Sequence, residues 1–225
     1  MKLLKLVATA AVLTLAMPAM AYEAGDMIVR VGAITVDPQD NSSGVNLNGT
    51  PITGSGVEAN ADTELGITFT YMFDEHWGLE LLAASPFRHT IKGTGATLES
   101  LGLGDIADVK QLPPTLSAQY YFNGAKDKFQ PYVGLGVNYT TFFDEKASNE
   151  YETVFGPSNV TLDDSWGLAA QVGFDYQVEQ NFRLNVGVWY MDIDTNATIK
   201  SPGSIVKTTA NLDPLVYMFG LAYAF

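Results

Sequence analysis

There is no cysteine among the 225 residues, which excludes a disulfide framework, a thiolate nucleophile and any cysteine-ligated metal. Histidine is almost as scarce: His76 and His89 are the only two, too far apart along the predicted strands to share an ion, so no metal and no cofactor is implied. Positive charge is short as well, 12 basic residues against 25 acidic for a net charge of -13, and nothing in such a chain could track a phosphate backbone. Nucleic acid is excluded as a partner. Charged residues of both signs make up only 16% of the chain, low beside the roughly 25% of ordinary soluble proteins, while 47% is hydrophobic. After the first twenty-one residues no apolar run approaches the length of a spanning helix, so a membrane crossing here must be made by strands.

Those first residues read as a secretory signal. Lys2 and Lys5 make a positive end, Leu6 to Met17 an apolar run, and Ala19-Met20-Ala21 a small-residue cleavage site. The apolar run is shorter than the roughly 20 residues of a membrane-anchoring helix. Residues 1–21 are therefore set apart as a cleaved signal peptide, and residues 22–225 as one barrel domain.

The pattern in that domain is a period of two. In the C-terminal stretch Leu215, Tyr217, Phe219, Leu221, Tyr223 and Phe225 alternate with Val216, Met218, Gly220, Ala222 and Ala224, a strand whose large-residue face carries no charge. The same alternation recurs from Met27 to Thr35, Thr63 to Phe73, Trp77 to His89, Val109 to Phe122, Phe129 to Phe143, Trp166 to Tyr176 and Phe182 to Met191. About eight strands result. Connections after the first, third and fifth are long and polar, the loop from Asp144 to Leu162 having room for a short helix; those after the second, fourth and sixth are short, and the seventh is intermediate.

Long and short connections at opposite ends describe an all-β, eight-stranded antiparallel transmembrane β-barrel with its termini in the periplasm. A soluble barrel would put its large apolar residues inside and polar ones in water. Here the face opposite the large residues instead holds Arg30, Glu64, Glu80, Asp175 and Arg183 among glycines, so these are expected to form an interior polar network.

With that pattern in hand the chain resembles the OmpW family of small outer-membrane barrels. The likeness runs through Leu65-Gly-Ile-Thr-Phe-Thr-Tyr71, Ser85-Pro-Phe-Arg-His89, Leu112-Pro-Pro-Thr-Leu116, Tyr139-Thr-Thr-Phe-Phe-Asp144, Asp164-Ser-Trp-Gly167, Trp189-Tyr-Met-Asp-Ile-Asp194 and Leu212-Asp-Pro214. The resemblance implies an apolar channel that admits small hydrophobic molecules across the outer membrane of a Gram-negative cell. The first loop and the Glu145 to Val160 loop are least like the family pattern.

Particular residues follow as expectations. Leu82 and Trp189 are the large apolar side chains on the inward rows and are expected to meet as a constriction of the lumen. Pro86 in the third strand and Pro113-Pro114 in the fourth supply no ladder hydrogen bond, which weakens the seam between those neighbours and suggests a lateral opening into the bilayer; a bulge that merely bends long strands is the competing reading. Arg88 and His89 are read as an extracellular rim facing lipopolysaccharide phosphates. Phe225 closes an aromatic row that resembles the signal read by the barrel-assembly machinery. Ser85 with His89 offers a hydroxyl and a base but no evident acidic partner, so no catalytic residue is assigned. The expected partners are outer-membrane lipid and lipopolysaccharide, the assembly machinery and small hydrophobic solutes, with the protein a monomer. The alternative is a closed structural or adhesive barrel whose loops serve as a receptor for phage, bacteriocin or host surface.

Overall fold

A computed structural model describes residues 22–39, 41–42, 44–123 and 127–225. The segment read as a signal peptide lies outside the described residues, as do residues 124–126 of the turn after the fourth predicted strand. In chain order the first strands are β1 (Met27–Asp37), β2 (Asn41–Ser42), β3 (Val45–Leu47), β4 (Thr50–Ile52), β5 (Gly56–Ala59) and β6 (Asp62–Met72). There follow β7 (Trp77–Ala84), β8 (Phe87–Thr94), α1 (Ala96–Ser100), β9 (Asp105–Leu112), β10 (Thr115–Tyr121), β11 (Phe129–Ala147) and α2 (Asn149–Phe155). The chain ends with β12 (Asn159–Leu162), β13 (Ser165–Gln177), β14 (Phe182–Met191), β15 (Asp194–Ser201), β16 (Ser204–Asn211) and β17 (Leu215–Ala224).

Eight of these strands close a ring. The order β10-β7-β6-β1-β17-β14-β13-β11 is completed by a β10–β11 pairing, every neighbour antiparallel, so no edge is left inside the membrane. The outward faces carry the large apolar rows: Leu65, Leu135, Leu168 and Phe219 are all more than 60% exposed, a burial pattern that suits lipid and not water. Aromatics flank this band. Trp77, Tyr120 and Phe122 stack edge-on at 5.1 and 5.3 Å near the short turns, and Tyr139 lies 4.7 Å from Trp166 near the long connections. Phe225 is exposed in the first of these groups, with its ring 4.7 Å from Tyr223 and its N–H donating to the Met27 carbonyl.

Proline divides the third and fourth predicted strands. Trp77 to His89 is expected as one strand, but the chain breaks at Ser85-Pro86 into β7 and β8; Val109 to Phe122 breaks at Pro113-Pro114 into β9 and β10. The upper pieces leave the barrel wall. β8 pairs with β9 and β5, and β9 pairs with the upper end of β11, forming an extracellular sheet above the bilayer. A second sheet, β12-β15-β16-β3-β4, stands opposite. It is built from connections expected to be loops: the stretch around Ser201-Pro202-Gly203 is the turn of a long β15–β16 hairpin. The predicted helix of the fifth connection is α2, where Ser148 Oγ accepts from the Tyr151 N–H as an N-cap.

Candidate functional site

The interior divides into three levels. In the layer nearest the short turns, the Arg30 guanidinium is the hub, because its strand position points it inward between β6 and β17. Its Nη2 and Nε donate to both oxygens of Asp175 at 2.6 and 3.1 Å, and its Nη1 donates to Glu80 at 3.0 Å and Thr70 at 2.7 Å. Gln171 donates to the other Glu80 oxygen at 2.8 Å, while Asn185 and the Tyr22 hydroxyl donate to Asp175 at 2.8 and 2.6 Å. Arg30, Glu80 and Asp175 are at most 1% exposed, so the cluster is a dry plug whose charges survive only because each is met by an opposite charge and several donors. Arg183 adjoins it, stacked over the Tyr22 ring at 4.5 Å. Glu64 does not join. It lies half-buried at the upper end of β6 and accepts from the Ser85 hydroxyl at 2.6 Å, two turns of the alternation above Thr68.

The middle layer is apolar. Leu82 and Trp189 are 2% and 1% exposed and belong to one buried cluster with Ile34, Phe87, Met191 and Met218. The indole folds back over Gly187, where an added Cβ would stand 2.6 Å from Cη2, so glycine at 187 is what leaves room for the ring. The structure thus places Leu82 and Trp189 in one buried apolar cluster.

Above that floor, between the extracellular sheets, lies a cavity of about 70 Å³. Its walls are mostly apolar, with Val57, Ile91, Ile106, Val109, Phe142 and Leu162 among them. Among the described residues, five polar ones line it. Thr195 and Thr208 have spent their hydroxyls on the carbonyls of Asp163 and Gly44, and Glu58 is exposed. The other two are His89 and Gln111.

His89 corrects an expectation. It is 3% exposed and faces the cavity, not the outer rim. Read straight through from Leu82, the alternation puts residue 89 outward, but the break at Pro86 shifts it by one: β7 turns Gly78, Glu80 and Leu82 inward, whereas β8 turns Phe87 and His89 inward. Burial pushes the His89 imidazolium down, opposed by its hydrogen bond to the Asn60 carbonyl and the charge of Asp62. Ser85 bonds to Glu64 and His89 to Asn60, so the two are not paired as base and hydroxyl. Arg88 does point outward, opposite Lys110, beside the Lys110–Asp144–Lys146 ion pairs.

The three prolines lie at one height. On the seam between β7–β8 and β9–β10, Leu82 pairs with Thr115 and the next pair is Phe87 with Gln111. Between those rungs, just above the Leu82 layer, the wall has no ladder pair. On the other side of β8, Asp62 and Asn60 side chains accept from the N–H groups of Arg88 and Thr90 at 2.7 and 2.5 Å, replacing a ladder to β6.

One cluster had no sequence signal. Asp192, Asp194 and Asp213 come within 4.8 Å of one another through their carboxylate oxygens near the upper end of β14. Burial and then the charges of Asp192 and Asp213 raise the Asp194 carboxyl. Only the fold brings residue 213 back beside 192 and 194.

A family model described as the OmpW family matches residues 23–225. Outer membrane protein W of Escherichia coli (strain K12) is 47% identical over 227 aligned residues, with 100% of each chain covered. The crystal structure of the outer membrane protein OprG from Pseudomonas aeruginosa is similar with a TM-score of 0.85 at 46% identity, covering 91% of this chain and 98% of OprG. The solid-state NMR structure of outer membrane protein AlkL in DMPC bilayers is similar with a TM-score of 0.62 at 25% identity, covering 91% and 92%.

Proposed function

Because this chain belongs to the OmpW family and is an eight-stranded barrel of the outer membrane, we propose that it admits small apolar molecules, which enter the cavity between the extracellular sheets and leave sideways into the bilayer. The observation that carries this reading is an apolar cavity standing on a sealed floor: an apolar solute gains by leaving water for those walls, and the ionic plug below is the worst medium it could enter next. The exit is the stretch without ladder pairs at Pro86, Pro113 and Pro114, directly above Leu82. Leu82 and Trp189 act as the constriction. No chemical step is involved, so the protein is not an enzyme.

Arg88, exposed beside the Lys110–Asp144–Lys146 ion pairs, is the outward cation that meets lipopolysaccharide phosphates. The exposed Phe225 serves the barrel-assembly machinery, and the protein acts as a monomer.

Uptake of a small apolar fluorescent probe by intact cells, with and without the protein, tests the proposal. Faster uptake that changes in Trp189→Ala supports it. Replacing Pro86, Pro113 and Pro114 together with threonine or valine is expected to slow uptake severalfold while the barrel stays folded. Uptake indifferent to the protein would favour the second reading, a closed barrel that works through its outer loops as a receptor; the fully paired Arg30 plug is the observation on its side.

A further inference from the structure

His89 and Gln111 are diagonal neighbours on paired strands, since His89 lies opposite Val109 and Phe87 opposite Gln111. Both line the cavity, at 3% and 1% exposure, and His89 Nε2 and Gln111 Oε1 have no hydrogen-bond partner. Buried polar atoms are seldom left so, because an unmade hydrogen bond in apolar surroundings forfeits the full desolvation of the group. The sense of the missing bond can be read. His89 Nδ1 is 2.6 Å from the Asn60 carbonyl, which can only accept, so Nδ1 carries the proton and Nε2 presents a lone pair. Gln111 Oε1 is also an acceptor.

We propose that the His89–Gln111 pair reads a hydrogen-bond donor on an otherwise apolar solute, so that the cavity selects small alcohols and phenols over hydrocarbons and ethers of the same shape. Glu58 at the cavity edge sharpens the choice, because its carboxylate disfavours anionic solutes that would otherwise share the apolar walls. The inference rests on the cavity being the path of apolar solutes.

Equilibrium binding to the protein in lipid nanodiscs, after subtracting partition into protein-free discs, tests it with 1-naphthol and 1-methoxynaphthalene. The ether lacks the donor and adds one methyl group, whose burial in an apolar cavity works in its favour, so a preference for the naphthol runs against apolar burial. The wild type is expected to bind the naphthol about tenfold tighter, the ratio that one hydrogen bond to a buried unpaired acceptor supplies. His89→Phe is expected to remove that preference and leave the ether within about twofold, on the same scale. Both probes bound alike by the wild type would overturn this inference and leave the uptake reading standing. A preference that survives in both His89→Phe and Gln111→Met would overturn it as well. Binding of neither probe would remove the uptake reading and this inference with it.

Discussion

Below Leu82 the lumen is packed with Arg30, Glu80, Asp175 and their donors, while above Trp189 it holds a cavity walled mainly by apolar side chains. The barrel strands enclose the lower region, whereas Phe142 of β11 is their one contribution to the cavity wall among the described residues, so the contrast comes from what is added above the ring. In the lower half eight strands leave room for little beyond side chains, and glycines on inward rows, such as Gly173 beneath the Tyr132 ring, make that room. Charges pair there because nothing else can reach them. In the upper half proline turns β8 and β9 out of the ring, two further sheets form the wall, and the enclosed space exceeds what its side chains fill. Width, more than strand number, separates a plug from a pocket.

The largest expected effect comes from breaking the plug. Asp175→Ala leaves Arg30 buried with a single carboxylate, and urea unfolding of the barrel in lipid vesicles should show a loss of about 3–5 kcal/mol. A loss below about 1 kcal/mol, the worth of an exposed pair, would mean that water reaches the cluster. Trp189→Ala in the intervening layer should cost about 3 kcal/mol by the same assay, since it empties a position that is 1% exposed. Ala197→Phe, on the cavity wall, sharpens the contrast from above: it fills space that is already empty, so probe uptake should fall about tenfold, some 1.4 kcal/mol in barrier, with the unfolding midpoint little changed.

The smallest effect belongs to the outer surface. Lys110 and Lys146 hold the Asp144 carboxyl down to about 2 through hydrogen bonds and charge. A carboxyl lowered in the folded state stabilises above its unfolded value of about 3.9 and loses that contribution as pH falls through the folded value. An NMR titration of Asp144 should therefore have its midpoint near 2, and acid should weaken this edge of the extracellular sheet only between about pH 4 and 2. Salt should raise that midpoint, because the carboxylate is exposed.

Much of the barrel was legible from alternation alone. Arg30, Glu80 and Asp175 stand on the faces opposite large apolar rows, and a charge on such a face has nowhere to go but the lumen. The β15–β16 hairpin was not legible, because Asn196, Thr198, Lys200, Thr208 and Thr209 give it no apolar row on the scale of the membrane strands. Glu64 was misplaced for a related reason: alternation gives the face of a residue but not its height along the barrel.

The sequence by itself determined that this chain spans a membrane as strands, which face of each barrel strand meets lipid, and that Arg30, Glu80, Asp175 and Arg183 lie inside. A period of two carries that information locally, and burying the wrong face would be prohibitive. Only the tertiary structure decided that His89 looks inward, that Asp213 joins Asp192 and Asp194, and that the upper wall is made of two added sheets. Each depends on where the chain resumes its alternation after a proline or a long connection, and that offset is fixed by pairing with strands distant in sequence.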